Sequence, residues 1–388
     1  MKQIRPIPYY TQMDDARMKK CAQALRDSMT PQIKRLLPMH NLSGLSHQAI
    51  VEYVAKWKKE YPYFFRSDIL KYYPNIKPKD LVTQAQIAYR DLFGLEYVPE
   101  TFKKKFLPDM IYWTKSLPEG KGIPLGSSMS NIMSSVGLIP IWLELKRKYG
   151  VKFIVFVDDL LVLCKSDYSA RQVWDYVSAT LQKQYELKLN VDKTYSGRFA
   201  QKAVTFCGWY FSGGYARIEQ RKYDSFKERI LKFLKRSRKD NTRAFINGIN
   251  RKIDGFGNYY KFGAVLKQFE ELDCFLRKEV RQWLSGSSHS KAYNNAELER
   301  MGLHSLEICY HKAHEDKKDK EKKNPLQPRL RSKETFYDEK KPAAIDYGVL
   351  NQIAQTGEKI TAQLQQLIGL QRTQNRFLEK IEKAFNEM

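Results

Sequence analysis

An α+β fold is predicted for this chain of 388 residues by three observations. Two short apolar runs, Lys152–Phe156 and Leu160–Cys164, flank a brief acidic insert and read as a β-hairpin. Long stretches before and after it carry helical spacing of apolar residues, with cap residues at their starts. Hydrophobic residues make up 42% of the chain, enough for a substantial core shared by two or three subdomains.

In chain order, residues 13–60 read as short helices. Cys21, Leu25 and Met29 share a face, and Thr30-Pro31 reads as an N-cap followed by proline at the first helical position. Ser46 reads as the cap of a further helix burying Ile50, Tyr53, Val54 and Trp57. Tyr63–Leu70 mixes aromatics with Ile and suits a strand, and residues 79–117 are helical with a break near Pro99. The turn Gly122-Ile-Pro-Leu-Gly126 opens a helix running to about Tyr149. After the hairpin come a helix over 169–185 and a second hairpin over 186–216. Helices rich in Lys, Arg and aromatics follow over 220–284, and the Ser-rich run 285–290 ends the compact part. Residues 312–342, headed by KAHEDKKDKEKKN, are too charged to bury and read as a mobile linker. No internal repeat is visible.

The charge balance narrows the partners. There are 68 Lys and Arg against 43 Asp and Glu, a formal +25, which would draw a polyanion at long range. A basic factor of another kind, such as a ribosome-associated or membrane-surface protein, would share that balance. The five cysteines form no CxxC pair, which argues against structural zinc and a disulfide framework. The start MKQIRPIPYYTQ has no apolar signal core, and no apolar run approaches membrane-spanning length. A soluble, cytoplasmic protein with no membrane partner is expected.

The chemistry concentrates at Phe156-Val157-Asp158-Asp159. Adjacent carboxylates at a strand tip repel each other unless a cation joins them, and two divalent ions there could clamp the attacking and leaving oxygens of a phosphoryl transfer. An ordinary turn would also accept two aspartates. A third carboxylate, Asp68, stands near the end of the earlier strand, where it could equally cap a helix.

With those residues in view, the chain resembles the reverse transcriptases. Asp68 with Tyr73 five residues on looks like motif A, and Gly122-Ile-Pro-Leu125-Gly126-Ser127-Ser-Met-Ser130-Asn131 looks like motif B. The tetrapeptide Phe156–Asp159 looks like the YxDD box of motif C, and Leu187-Lys-Leu-Asn190-Val-Asp-Lys193-Thr194 looks like motif D. Phe206-Cys207-Gly208-Trp209 looks like the motif E primer grip. Residues 243–284, with Asn250, Gly255-Phe256 and Asn258-Tyr259-Tyr260, resemble the helical thumb of group II intron-related enzymes.

The resemblance implies a right-hand polymerase, with a reduced helical fingers region over 1–67, a palm over 68–216 and a helical thumb over 217–286. A charged linker over 287–345 and a C-terminal helix over 346–388 complete it. It implies RNA-directed DNA synthesis by two Mg2+ ions, with Mn2+ as the alternative, at a metal set of Asp68, Ile69, Asp158 and Asp159. Lys193 would protonate the leaving pyrophosphate, and Tyr73, Leu125, Gly126 and Ser127 would contact the dNTP. Gly126 would let the backbone approach the nucleotide. Cys207, Gly208 and Trp209 would hold the primer, and the thumb cations would hold the duplex through its phosphates. The partners would be an RNA template, a non-coding RNA above all, and the DNA product.

The departures from the motifs refine this picture. Phe156 replaces the usual Tyr, and Leu125 stands where many members have Gln. No basic fingers motif is visible; Lys56, Lys58, Lys59 and Arg66 are the candidates to grip the triphosphate. A reduced fingers region resembles the defence-associated, abortive-infection-like enzymes, so an antiphage role is expected. A diversity-generating retroelement enzyme, an untemplated DNA polymerase and a non-catalytic nucleic-acid scaffold are the rival readings. In the tail, Ile353, Gly357, Ile360, Leu364, Leu367, Gln371, Gln374, Leu378, Ile381 and Phe385 alternate four- and three-residue steps. That stripe suits a seam against a second copy or a partner protein, or against the chain's own thumb.

Overall fold

The computed structural model describes residues 12–322, apart from 119–121, 214, 238–240 and 287–292. The expected linker beyond 322 and the C-terminal stripe lie outside the described residues.

The chain opens with a long helix, α1 (Gln12–Leu36), whose Cys21, Leu25 and Met29 are buried as their spacing predicts. Pro31 sits inside this helix rather than at the start of another. Thr30 caps nothing: its hydroxyl bonds back to the Arg26 carbonyl at 2.7 Å, as a mid-helix threonine does. After a 3-10 turn, Asn41–Ser43, Ser46 caps α2 (His47–Trp57) through the Ala49 amide, and Ile50 and Val54 are buried.

Strand β1 (Tyr63–Asp68) then enters the sheet, followed by a short α3 (Tyr72–Asn75). Helices α4 (Pro78–Phe93) and α5 (Glu100–Lys115) break around Pro99 as expected. The helix expected to run to Tyr149 is two helices, α6 (Ser128–Val136) and α7 (Ile139–Tyr149). Gly137 ends the first, and Pro140, having no N–H to satisfy, begins the second.

Strands β2 (Lys152–Phe156) and β3 (Asp159–Cys164) form the expected hairpin, and α8 (Asp167–Tyr185) follows under a Ser166 cap. The stretch 186–216 is not a single hairpin. Strand β4 (Tyr195–Arg198) leaves to pair with β1, giving a four-stranded sheet in the order β2-β3-β1-β4. Strands β5 (Val204–Phe206), β6 (Trp209–Ser212) and β7 (Tyr215–Ile218) form a separate antiparallel sheet of three.

The alternation of side chains across β1 and β3 divides the interior in two. Phe65, Val162 and Cys164 face a core built with α1, α4 to α6 and α8. Phe64, Leu161 and Leu163 face a second core built with β5 to β7 and three helices, α9 (Gln220–Arg236), α10 (Thr242–Tyr260) and α11 (Leu266–Ser285). Asp68 shares the parity of Phe64, and Asp159 that of Leu161, so both acids fall on the face of the second core.

The compact part does not end at the Ser-rich run. Two more helices, α12 (Asn295–Arg300) and α13 (Leu306–Lys322), follow it, and Leu298, Leu303 and Leu306 are buried in the second core. Asp273, itself buried, accepts the Leu306 and Glu307 amides at 2.9 and 3.0 Å and anchors the start of α13. Asn250 reaches the same segment through the Gly302 carbonyl and the His304 amide. Residues 312–322 are therefore helical rather than linker. Among the described residues no helix is long and apolar enough to cross a membrane.

Candidate active site

The acids meet because of strand register. In the antiparallel pair of β1 and β3, Asp68 stands directly opposite Asp159. Asp158 occupies the tip between β2 and β3, next to Val157, whose φ is +60°. A β-branched residue seldom adopts that left-handed conformation, and here it marks the tightness of the turn.

Burial and mutual repulsion disfavour the charged forms. Asp158 is pushed up to about 6, chiefly by burial and then by the Asp68 charge. Asp159 is also pushed up to about 6 by burial, despite the guanidinium of Arg66 beside it. Arg66 lies two residues before Asp68 on the same face of β1 and is buried. It donates to Asp159 Oδ1 at 2.7 Å, to the Lys193 carbonyl at 2.7 Å and to the Thr205 carbonyl at 3.2 Å. Three of its five N–H donors are thus used inside the protein, and its burial keeps Arg66 from gripping a triphosphate. Lys58 donates to the Gly213 carbonyl at 3.1 Å, and Lys56 lies over the Trp57 ring.

Lys193 Nζ pairs with Asp68 Oδ2 at 2.8 Å, and Asn190 Nδ2 donates to the same oxygen at 3.2 Å. Both come from the loop before β4, which is tied down by the Asn190 amide on the Asp68 carbonyl at 2.8 Å. Ile69 is buried and bridges to Leu189, so only its backbone oxygen could serve a metal. Hard carboxylate oxygens are the donors a divalent ion such as Mg2+ takes, and Asp68 and Asp158 are the carboxylates here that could supply them, Asp159 being engaged by Arg66. Among the described residues no group of three His, Cys, Asp or Glu side chains stands arranged to hold an ion.

The residues expected around a nucleotide divide into two sets. Tyr72 is buried, its hydroxyl on the Ser134 carbonyl, whereas Tyr73 is partly exposed, with its hydroxyl 3.0 Å from Ser134 Oγ and 3.3 Å from Asn131 Oδ1. Ser127 is spent as the cap of α6, Leu125 is 50% exposed, and Gly126 has a φ of +88° with open space where a side chain would stand. Gly122 makes the closest backbone approach: a Cβ there would lie 1.9 Å from the Tyr73 carbonyl oxygen, which also accepts the Ile123 amide. The turn before α6 is thereby fastened to the residue after α3's first, a link that no local pattern announces.

Cys207 and Gly208 form a turn with φ of +48° and +76°, held by the Tyr259 hydroxyl on the Cys207 carbonyl at 2.7 Å. Gly208 is itself buried and Cys207 only partly exposed, and Trp209 lies deeper still. The alternation of β6 turns it inward, where it is fully buried against Tyr259 and Tyr260.

Paired carboxylates on adjoining strands, in a basic chain with a helical half beside them, are the ground plan of the nucleic-acid polymerases. Residues 1–211 match the family model "Reverse transcriptase (RNA-dependent DNA polymerase)", and the chain belongs to that family. Residues 223–302 match the group II intron maturase-specific domain, which relates the chain to the group II intron enzymes. No curated protein matches it. Among solved structures it is similar to telomerase from Candida albicans with a TWJ fragment of telomeric RNA, at 12% identity and a TM-score of 0.37, over 81% of this chain and 57% of that one. Apo telomerase from Candida tropicalis is similar at 11% identity and a TM-score of 0.42, over 78% of this chain and 55% of that one. The chain spans about half the length of these structures.

Proposed function

We propose that this protein is an RNA-directed DNA polymerase whose reaction centre is Asp68, Asp158 and Asp159. The observation that carries the reading is the direct pairing of Asp68 with Asp159 and the placement of Asp158 at the adjoining tip. Residues 68–216 would then serve as palm, the helices of 217–286 as thumb, and the segment before Asp68 as fingers. Two Mg2+ ions held by Asp68 and Asp158, with Asp159 in support, would activate a primer 3′-hydroxyl and neutralise the triphosphate.

The protein's own groups do the rest. Arg66 opposes the upward displacement of Asp159 and orients its carboxylate. Tyr73, anchored through α6, places a ring where a ribose 2′-hydroxyl would otherwise fit. Gly126 leaves room over its backbone for a nucleotide. The Cys207-Gly208 turn would present backbone to the primer, and Lys193 would be available to the pyrophosphate. The template would be RNA, and a role in antiphage defence with a non-coding RNA is proposed ahead of that of a diversity-generating retroelement.

The test is extension of a primer on an RNA template with Mg2+ and dNTPs. The wild-type protein extends it, and the double variant Asp158→Asn, Asp159→Asn binds RNA without extending. Extension by the double variant would show that these acids are not the centre.

A further inference from the structure

One polar side chain reaches the acidic tip from far along the chain. Asn41 opens the 3-10 turn that follows α1. The turn is closed locally: His40 Nδ1 accepts the Leu42 amide at 3.2 Å, and Gly44 ends it with a φ of +85°. The same segment lies along the outer edge of β2, where the Met39 carbonyl accepts the Val155 amide at 3.0 Å and His40 bridges to Val155. The edge of the sheet is thereby covered, and Asn41 is delivered to the hairpin tip.

Its carboxamide is used at both ends. Oδ1 accepts the Val157 amide at 3.4 Å, and Nδ2 donates to Ser135 Oγ on α6 at 2.9 Å. Val157 holds the left-handed conformation noted above and immediately precedes Asp158. Rotation about its backbone would swing the Asp158 carboxylate. On the other side, α6 carries Asn131 and Ser134, the two partners of the Tyr73 hydroxyl. The Ser135 hydroxyl also donates to the Asn131 carbonyl at 3.1 Å.

We infer that Asn41 is a positioning residue for the reaction centre: it holds the Val157 amide so that the tip presents Asp158, and it fastens that tip to the helix that anchors Tyr73. This rests on the reading of the acids as the centre of nucleotide addition. Asn41 touches no reacting group; it acts through Val157. A hydrogen-bonding side chain is required here because a strained turn with an unpaired amide would sample other conformations.

The test uses the full chain, with Asn41→Ala and Asn41→Asp beside wild type. Asp keeps the acceptor for the Val157 amide and Ala removes it. Amide exchange is followed by mass spectrometry in the metal-free protein, and RNA-templated extension is measured with Mg2+. In Asn41→Ala, exchange rises in the peptide spanning residues 152–159 and stays at wild-type values in α4 and α5. Its kcat falls by about tenfold, the factor one well-placed hydrogen bond can carry, with KM for dNTP within about twofold. Asn41→Asp exchanges at the wild-type rate in that peptide. Unchanged exchange in Asn41→Ala, acceleration throughout the chain, or an Asp variant exchanging as fast as the Ala one would each overturn the inference. If wild type shows the expected exchange contrast but extends no primer, the polymerase reading fails and the role of Asn41 in holding Val157 stands.

Discussion

Replacing Asp158 with Asn should make the metal-free protein more stable while abolishing nucleotide addition. Asp158 is held at about 6 in the folded chain against an ordinary 3.8, so its charge is unwelcome in the native state. That displacement corresponds to about 3 kcal/mol at neutral pH. Part of the repulsion is shared with Asp68 and Asp159, and Asn has its own cost of burial, so the expected gain is about 2 kcal/mol. The sign follows from which state holds the proton. Above about pH 6 the folded protein carries the full penalty, and below about 3.8 the carboxyl is protonated in folded and unfolded chains alike. The advantage of the variant should therefore be complete at pH 7.5, shrink below pH 6 and vanish near pH 4. Urea denaturation of both proteins in EDTA at these pH values measures it. Added Mg2+ should raise the stability of wild type and leave the variant nearly unchanged. A variant equal to or less stable than wild type at pH 7.5 in EDTA would refute the electrostatic reasoning.

Arg66→Met should cost about 3–5 kcal/mol in denaturation, because it strands the Asp159 charge, and the double variant Arg66→Met, Asp159→Leu should recover much of that loss. Tyr73→Val should raise ribonucleotide incorporation more than it lowers deoxynucleotide incorporation in single-nucleotide extension. Tyr72→Ala should instead destabilise the protein by about 3–5 kcal/mol in the same denaturation assay, since its ring is buried. Deleting residues 346–388 should lower the number of copies per particle found by light scattering or release a bound partner, as the spacing of Ile360, Leu364 and Leu367 suggests.

What could be read from the sequence was whatever is encoded locally. The tip at Asp158 and Asp159 is bounded by two short, continuous apolar runs, and the strand ending at Asp68 is marked by its aromatics. Their meeting depends on which residue stands opposite which, and that could be expected only through the family resemblance. Arg66, Asn190 and Asn41 went unassigned at the acids because their partners lie 93, 122 and 116 residues away. Local signals also misled where tertiary packing overrode them. Pro31 reads as a helix start, yet α1 runs through it because its far side packs against α4, α5 and α6. The Ser-rich run reads as an end, yet Leu298, Leu303 and Leu306 find apolar surface left uncovered by α10 and α11. Residues 186–216 contain enough strand signal for one hairpin, but β1 offers a free edge that draws β4 away.

The cations around the acids are not equivalent, and the difference bears on how the centre could work. Arg66 is 9% exposed and its bonds tie β1 to the loop before β4 and to β5, so it cannot leave Asp159 without loosening the fold. Lys193 is 50% exposed, stands on a three-residue 3-10 turn, and makes one ion pair, with Asp68. An exposed lysine pair is weak and exchangeable. Asp158 forms no ion pair among the described residues, so two positive charges face three carboxyls. The shortfall is met in the metal-free protein by the upward displacement of Asp158 and Asp159. A divalent cation at Asp68 and Asp158 would make the Lys193 pair redundant, freeing its ammonium for a phosphate while Arg66 stays in place. Under the proposed function the same lysine would guard the acids before nucleotide arrives and serve its phosphates afterwards, and a short exposed turn, unlike a strand, would permit both.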